Sequence, residues 1–106
     1  MSVLSRIEQI IAAHEVVLFM KGNADFPQCG FSGKVVSILK AMGTSFHVVN
    51  VLEDDEIREG VKVFSNWPTI PQLYVRQELI GGCDIVVDLY ESGDLKTIMA
   101  PQEDAN

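Results

Sequence analysis

The chain has 106 residues with 47% hydrophobic content, enough for one compact core and too apolar for a disordered chain. Its 8 lysines and arginines stand against 15 acidic residues, a formal charge of −7 that excludes a general nucleic-acid binder, because phosphate recognition rests on clustered positive charge. No apolar run approaches the ~20 residues of a membrane span, and the first residues carry no basic stretch leading into an apolar segment, so no membrane or secretory role is expected. Two cysteines, Cys29 and Cys83, are too few for a secreted disulfide scaffold. They fit a reducing compartment, and a cytoplasmic location is expected. The pair reads as unpaired thiols or as a redox couple. His14 and His47 show no paired ligand spacing, so no zinc site is expected.

Residues 3–13 place Leu4, Ile7, Ile10 and Ile11 at helical spacing behind Ser2, a suitable N-cap. Glu15-Val16-Val17-Leu18-Phe19-Met20 reads as a buried strand. Gly22, Asn23, Asp25 and Pro27 mark the following loop. A second helix carries Val35, Ile38, Leu39 and Met42 on one face and stops at Gly43; residues 46–51 form the next strand. This strand–helix–strand sequence predicts a right-handed parallel crossover. Asp54 or Asp55 caps a third helix that buries Ile57, Val61 and Phe64. Residues 72–75 and 78–80 are close enough to pair antiparallel, although Arg76-Gln77 lacks the glycine or asparagine of a strong hairpin signal. Ile85, Val86, Leu89 and Tyr90 form a helix ending near Ser92-Gly93, and Asp94 starts another with Leu95, Ile98 and Met99. Residues 101–106 read as a frayed tail of a single domain spanning 1–106. The order α-β-α-β-α-β-β-α-α predicts an α/β protein of thioredoxin-like arrangement, a four-stranded mixed sheet flanked by helices.

The chemistry concentrates at three places. Cys29 lies where the first loop gives way to a helix, in Pro27-Gln28-Cys29-Gly30-Phe31-Ser32. Unpaired N–H groups and about half a positive charge at a helix start favour thiolate, so its pKa is expected below the free value of about 8.5. Lys21 adds positive charge nearby. A dithiol exchanger needs a second cysteine one turn on. That position is Ser32, which excludes dithiol exchange through this motif and leaves one thiolate acting with an external thiol or as a metal ligand.

The second place is Trp67-Pro68-Thr69-Ile70-Pro71. Proline before a strand lacks a pairing N–H, and in this fold Ile70–Pro71 is expected to be cis, leaving the Ile70 backbone free for an extended peptide ligand. The third is Gly81-Gly82-Cys83-Asp84. Its glycines allow close approach, Asp84 is expected as the helix N-cap, and the exposed N–H groups suit a carboxylate. Cys83 reads as a resolving thiol or as a packed residue, with packing preferred.

Together with Lys21-Gly22, these motifs resemble the monothiol glutaredoxins of the Cys-Gly-Phe-Ser class, from about Leu4 to Met99. The resemblance implies a thioredoxin-like fold, glutathione binding and a 2Fe-2S cluster shared across a homodimer that is monomeric when apo. It further implies cluster transfer to acceptor apoproteins and a BolA-type partner. In those roles Cys29 is the catalytic thiol and iron ligand. Lys21 and Arg58 meet the glycine carboxylate of glutathione, Ile70 pairs with its backbone, and Cys83 and Asp84 receive its γ-glutamyl end. Lys62, one turn beyond Arg58, is a supporting candidate. The alternative function is reduction of protein–glutathione mixed disulfides through the single cysteine. Cluster carriage is preferred, with thiol oxidoreductase activity secondary.

Overall fold

The computed structural model describes residues 2–101, and most of the expected tail lies outside them. Helix α1 spans Val3–Ala13, capped by the Ser2 hydroxyl, which accepts from the Ser5 amide at 3.1 Å. Strand β1, Val16–Met20, is buried at all five positions because helices cover both faces of the sheet. Helix α2, Gly30–Ala41, buries Val35, Val36, Ile38 and Leu39. Strand β2, His47–Asn50, pairs parallel to β1.

Strand β2 is shorter than expected. The Asn50 side chain accepts from the Leu52 amide at 3.0 Å and diverts the chain into a single 3-10 turn, Val51–Glu53. Helix α3, Asp55–Ser65, is capped by Asp54, whose carboxylate accepts from the amides of Glu56 and Ile57. Arg6 bonds the same carboxylate at 2.8 Å and, with the helix amides, holds it below the usual carboxylate range. The cap thus also fastens α1 to α3.

Strands β3, Gln72–Val75, and β4, Glu78–Gly81, complete a sheet of order β2-β1-β3-β4, in which β1/β3 and β3/β4 are antiparallel. Helices α4, Cys83–Ser92, and α5, Asp94–Met99, follow. The mixed sheet and flanking helices are those expected. Alternation along β1 divides the core. Leu18 and Met20 join Leu73, Leu39 and Val86 beneath α2, α4 and α5. Val17 and Phe19 join Tyr74, Ile7 and Val61 beneath α1 and α3. No helix among the described residues is long and apolar enough to cross a membrane. His14 and His47 stack face to face, 3.8 Å between ring centroids.

One expectation about α4 is corrected. Asp84 is not its N-cap: Gly82 occupies that position and no side chain caps the helix, so Asp84 lies in the first turn. The helix starts two residues earlier than expected, just after Gly81, which at φ +148° packs where any Cβ would lie 2.8 Å from Ile85. The expected helix itself is present; within it Val86 is buried, while Ile85 and Tyr90 are 36% and 43% exposed.

The β3–β4 turn uses two left-handed residues without glycine, Arg76 at φ +46° and Gln77 at φ +71°. Arg76 is compensated: its amide donates to the Glu15 carbonyl at 2.7 Å, and its guanidinium bonds the Glu15 carboxylate and the Ile98 carbonyl. Gln77 is exposed and has no such ties. A left-handed residue with a Cβ costs about 1–2 kcal/mol, so Gln77→Gly should stabilise the protein by up to about 1 kcal/mol in urea unfolding. A less stable variant would show that the turn is not under this strain.

Candidate functional site

The end of β1 feeds a tight loop. Gly22 lies at φ +92°, where a Cβ would sit 2.5 Å from the Phe26 carbonyl. The Gly22 amide donates to the Asn50 side chain at 3.0 Å, and the Gln28 amide returns to the Lys21 carbonyl at 2.8 Å. This loop delivers Cys29 to the N-cap position of α2 in extended backbone, with its carbonyl accepting the first helical bond from Gly33 at 2.9 Å. The thiol therefore faces the free amides of the first turn. Its pKa is lowered chiefly by the Ser32 amide, then by the Phe31 amide, the Lys21 charge and the Ser32 hydroxyl; partial burial opposes them.

Ser32 occupies the place a resolving cysteine would take, yet it is fully buried, and its hydroxyl accepts from the Lys21 amide at 3.1 Å. Its role is to tie the end of β1 to α2. The residues before it hid this, but the stripe Ser32, Val35, Val36, Leu39 at helical spacing marks an inward position.

Across from Cys29, the Ile70–Pro71 bond is cis, as expected. Ile70 is 7% exposed and packs in the core beside α3, yet it also lines the groove. Gly82 permits the start of α4 to approach this segment; a Cβ there would lie 3.2 Å from the Pro71 carbonyl. The result is a groove of about 480 Å³ that brings together Lys21, Cys29, Arg58, Ile70, Cys83 and Asp84. All six residues singled out in the sequence line it. Lys62 does too, while pairing with Glu59 at 3.1 Å. Phe31, Trp67 and Ile85, not singled out as site residues, add apolar wall.

The charges are segregated. Lys21 comes from the end of β1 and Arg58 and Lys62 from α3, whereas Asp84 comes from α4 on the other face of the sheet. Both cysteines are free thiols. Burial, followed by the Asp84 charge, pushes the Cys83 thiol up, so the two thiols are shifted in opposite directions. Among the described residues no group of three or more histidines, cysteines or carboxylates converges as a metal site. Chemically, the groove offers a thiol of lowered pKa, a cationic wall, and the backbone of the cis-prolyl segment among its lining.

Comparison with known proteins agrees with this geometry. The glutaredoxin family model matches residues 16–80. A monothiol glutaredoxin of Synechocystis is 50% identical over 90% of this chain and 89% of its own length. One from Rickettsia typhi is 52% identical over 91% and 86% respectively. Monothiol glutaredoxin-S11 of Oryza sativa subsp. japonica is 52% identical over 93% of the chain, which spans only 20% of that longer relative. Among solved structures, reduced poplar apo GrxS14 superposes with a TM-score of 0.77 at 52% identity, covering 88% of this chain and 85% of that one. The buckwheat glutaredoxin–glutathione complex shares the fold, with a TM-score of 0.82 at 21% identity over 92% and 86% of the two chains. The single active thiol at the start of α2, the buried serine one turn on and these relatives agree: the chain belongs to the glutaredoxin family, in its monothiol class.

Proposed function

We propose that residues 1–106 form a single glutaredoxin domain of a reducing, cytoplasmic compartment that binds glutathione and carries a 2Fe-2S cluster between two copies of the chain for delivery to apoproteins. The observation that carries the reading is the lowered-pKa Cys29 thiol on the rim of a groove whose cations and carboxylate stand on opposite walls. Glutathione has that pattern of charge: a glycine carboxylate at one end, and a carboxylate and an ammonium at the other. Lys21 and Arg58 take the glycine carboxylate by charge-assisted bonds. The Ile70 backbone pairs with the cysteinyl segment, and the first amides of α4 with the Asp84 carboxylate receive the γ-glutamyl end. The glutathione complex solved for the buckwheat protein of the same fold supports this assignment.

The donor set suits a shared cluster. A 2Fe-2S cluster takes four thiolates, and the whole sequence holds two cysteines, of which Cys83 has a raised pKa. Cys29 therefore supplies one ligand per subunit, and glutathione supplies the other. A ligand not bonded covalently to the protein can exchange at the metal, which suits delivery. The net charge of −7 opposes close approach of two empty subunits, so the apo form is monomeric, and a BolA-type partner would dock at this same face.

The low Cys29 pKa also suits a second reading, reduction of protein–glutathione mixed disulfides. The thiolate attacks the glutathione sulfur and the target thiolate leaves. A second glutathione thiolate then attacks the glutathione sulfur of the Cys29 mixed disulfide, forming glutathione disulfide and freeing the Cys29 thiolate.

Anaerobic reconstitution with iron and sulfide, followed by gel filtration, tests the first reading. A dimer holding two irons and two glutathiones is expected, dependent on glutathione and abolished in a folded Cys29→Ser variant. A cluster assembled fully without glutathione or another small thiol would overturn it. Lys21→Ala and Arg58→Ala should each weaken glutathione binding by about 1–3 kcal/mol in calorimetry; two unchanged affinities would withdraw the carboxylate assignment.

The thiol shifts predict a pH order. A lowered pKa keeps Cys29 as thiolate at pH values where Cys83, raised, is still a thiol. Iodoacetamide at about pH 7 should therefore modify Cys29 first, with a rate midpoint below the free value of about 8.5. Equal rates at the two cysteines would contradict the electrostatic account.

A further inference from the structure

The first residue of β3 is out of character for a strand buried at every position. Gln72 is completely buried and ranks among the larger fully buried side chains. A neutral amide in an apolar core is strongly destabilising unless its hydrogen bonds are made. Here they are made, and their partners are specific. The Nε2 group donates to the Trp67 carbonyl at 3.1 Å and to the Thr69 carbonyl at 3.1 Å, which uses both of its hydrogens. The Oε1 atom accepts from the Tyr74 hydroxyl at 3.2 Å. Tyr74 points to the same face two residues on and packs edge-to-face on Phe19, 5.6 Å between centroids, so the network stands on the core.

The same loop is held from the helix side. The Trp67 amide donates to the Ser65 hydroxyl at 3.1 Å, and that hydroxyl donates to the Val61 carbonyl at 2.8 Å. Trp67, Pro68, Thr69, Ile70 and Pro71 all line the groove, and the two carbonyls gripped by Gln72 come from residues on the near side of Ile70. An aliphatic residue, which the burial of β3 would favour, would take the Nε2 donor from both carbonyls and leave the Trp67 carbonyl only the 3.5 Å contact from the Ser65 hydroxyl.

We infer that Gln72 is a positioning residue: from beneath the groove, it holds the Trp67–Thr69 backbone so that the Ile70 edge is set in advance for an extended thiol peptide. Gln72 itself does not touch the ligand. This inference rests on the reading of the groove as a glutathione site, but the loop itself can be read without glutathione, because Trp67 is the only tryptophan in the chain. Preorganisation of this kind raises affinity by removing the ordering cost at binding.

The test is Gln72→Met, similar in length and apolar, with Tyr74→Phe as the control that keeps both Nε2 bonds. In Gln72→Met, the amides of Trp67, Thr69 and Ile70 should exchange at least about tenfold faster and acrylamide should quench Trp67 more strongly, both measured without glutathione. Glutathione affinity should fall about tenfold, while the pH midpoint of Cys29 alkylation stays unchanged because α2 carries that thiol. Tyr74→Phe should bind glutathione within about twofold of wild type. Gln72→Glu keeps the volume but cannot supply both donors of the amide, and it should reproduce the loosened loop. Wild-type loop exchange and quenching in Gln72→Met would overturn the inference, as would Tyr74→Phe matching its defect. Failure of both Gln72 variants to fold would assign the residue to core stability alone. A loosened loop with no glutathione binding in any variant or in wild type would instead sink the glutathione reading and leave the positioning intact.

Discussion

The bond from the Lys21 amide to the buried Ser32 hydroxyl joins the end of the central strand to the first turn of α2. The site's geometry depends on that junction. It fixes where Cys29 sits relative to the free amides of the helix start, and it brings the Lys21 side chain to the same groove. Replacing a thiol by a hydroxyl at this position removes a second redox-active sulfur. It also provides a stronger acceptor for a backbone amide that the sheet has no strand left to pair. One substitution thus defines both the chemistry and the framework.

Around this junction the two faces of the sheet contribute different things. The α1/α3 face supplies Arg58, Lys62 and the support beneath the cis-prolyl loop; the α2/α4 face supplies Cys29, Cys83 and Asp84. Three of the chain's 8 cationic residues line one groove in a protein of net charge −7, so positive potential is concentrated where an anionic peptide would enter. The opposite shifts of the two thiols follow from position alone: one is aimed at helix amides, the other is half-buried beside a carboxylate.

Elements carried by strong local signals were legible in the sequence. The Val16–Met20 run could only be a doubly covered strand, and Ser2 and Asp54 announced their helices. The groove residues were found because Cys29, the Ile70–Pro71 segment and Gly81-Gly82 carry distinctive chemistry, and family resemblance added Arg58. What stayed hidden depends on which way a residue turns. Asp84 and Gly82 compete for one cap position, and only the close packing of Gly81 on Ile85 decides it. The Arg76-Gln77 turn lacks a glycine because Arg76 is anchored by Glu15 and Ile98, residues distant in sequence. Gln72 looks like a polar strand residue until the loop above it closes over its amide.

The central claim is that glutathione lies along this groove against Cys29. A titration of the isotopically labelled apo protein with glutathione, followed through backbone amide resonances, tests it most directly. The account predicts shifts concentrated at Lys21, Ile70, Cys83 and Asp84 and at the first turn of α2, with the far ends of α1 and α5 undisturbed. Shifts centred on the α1–β2 side near His14 and His47, or spread evenly over the chain, would contradict it.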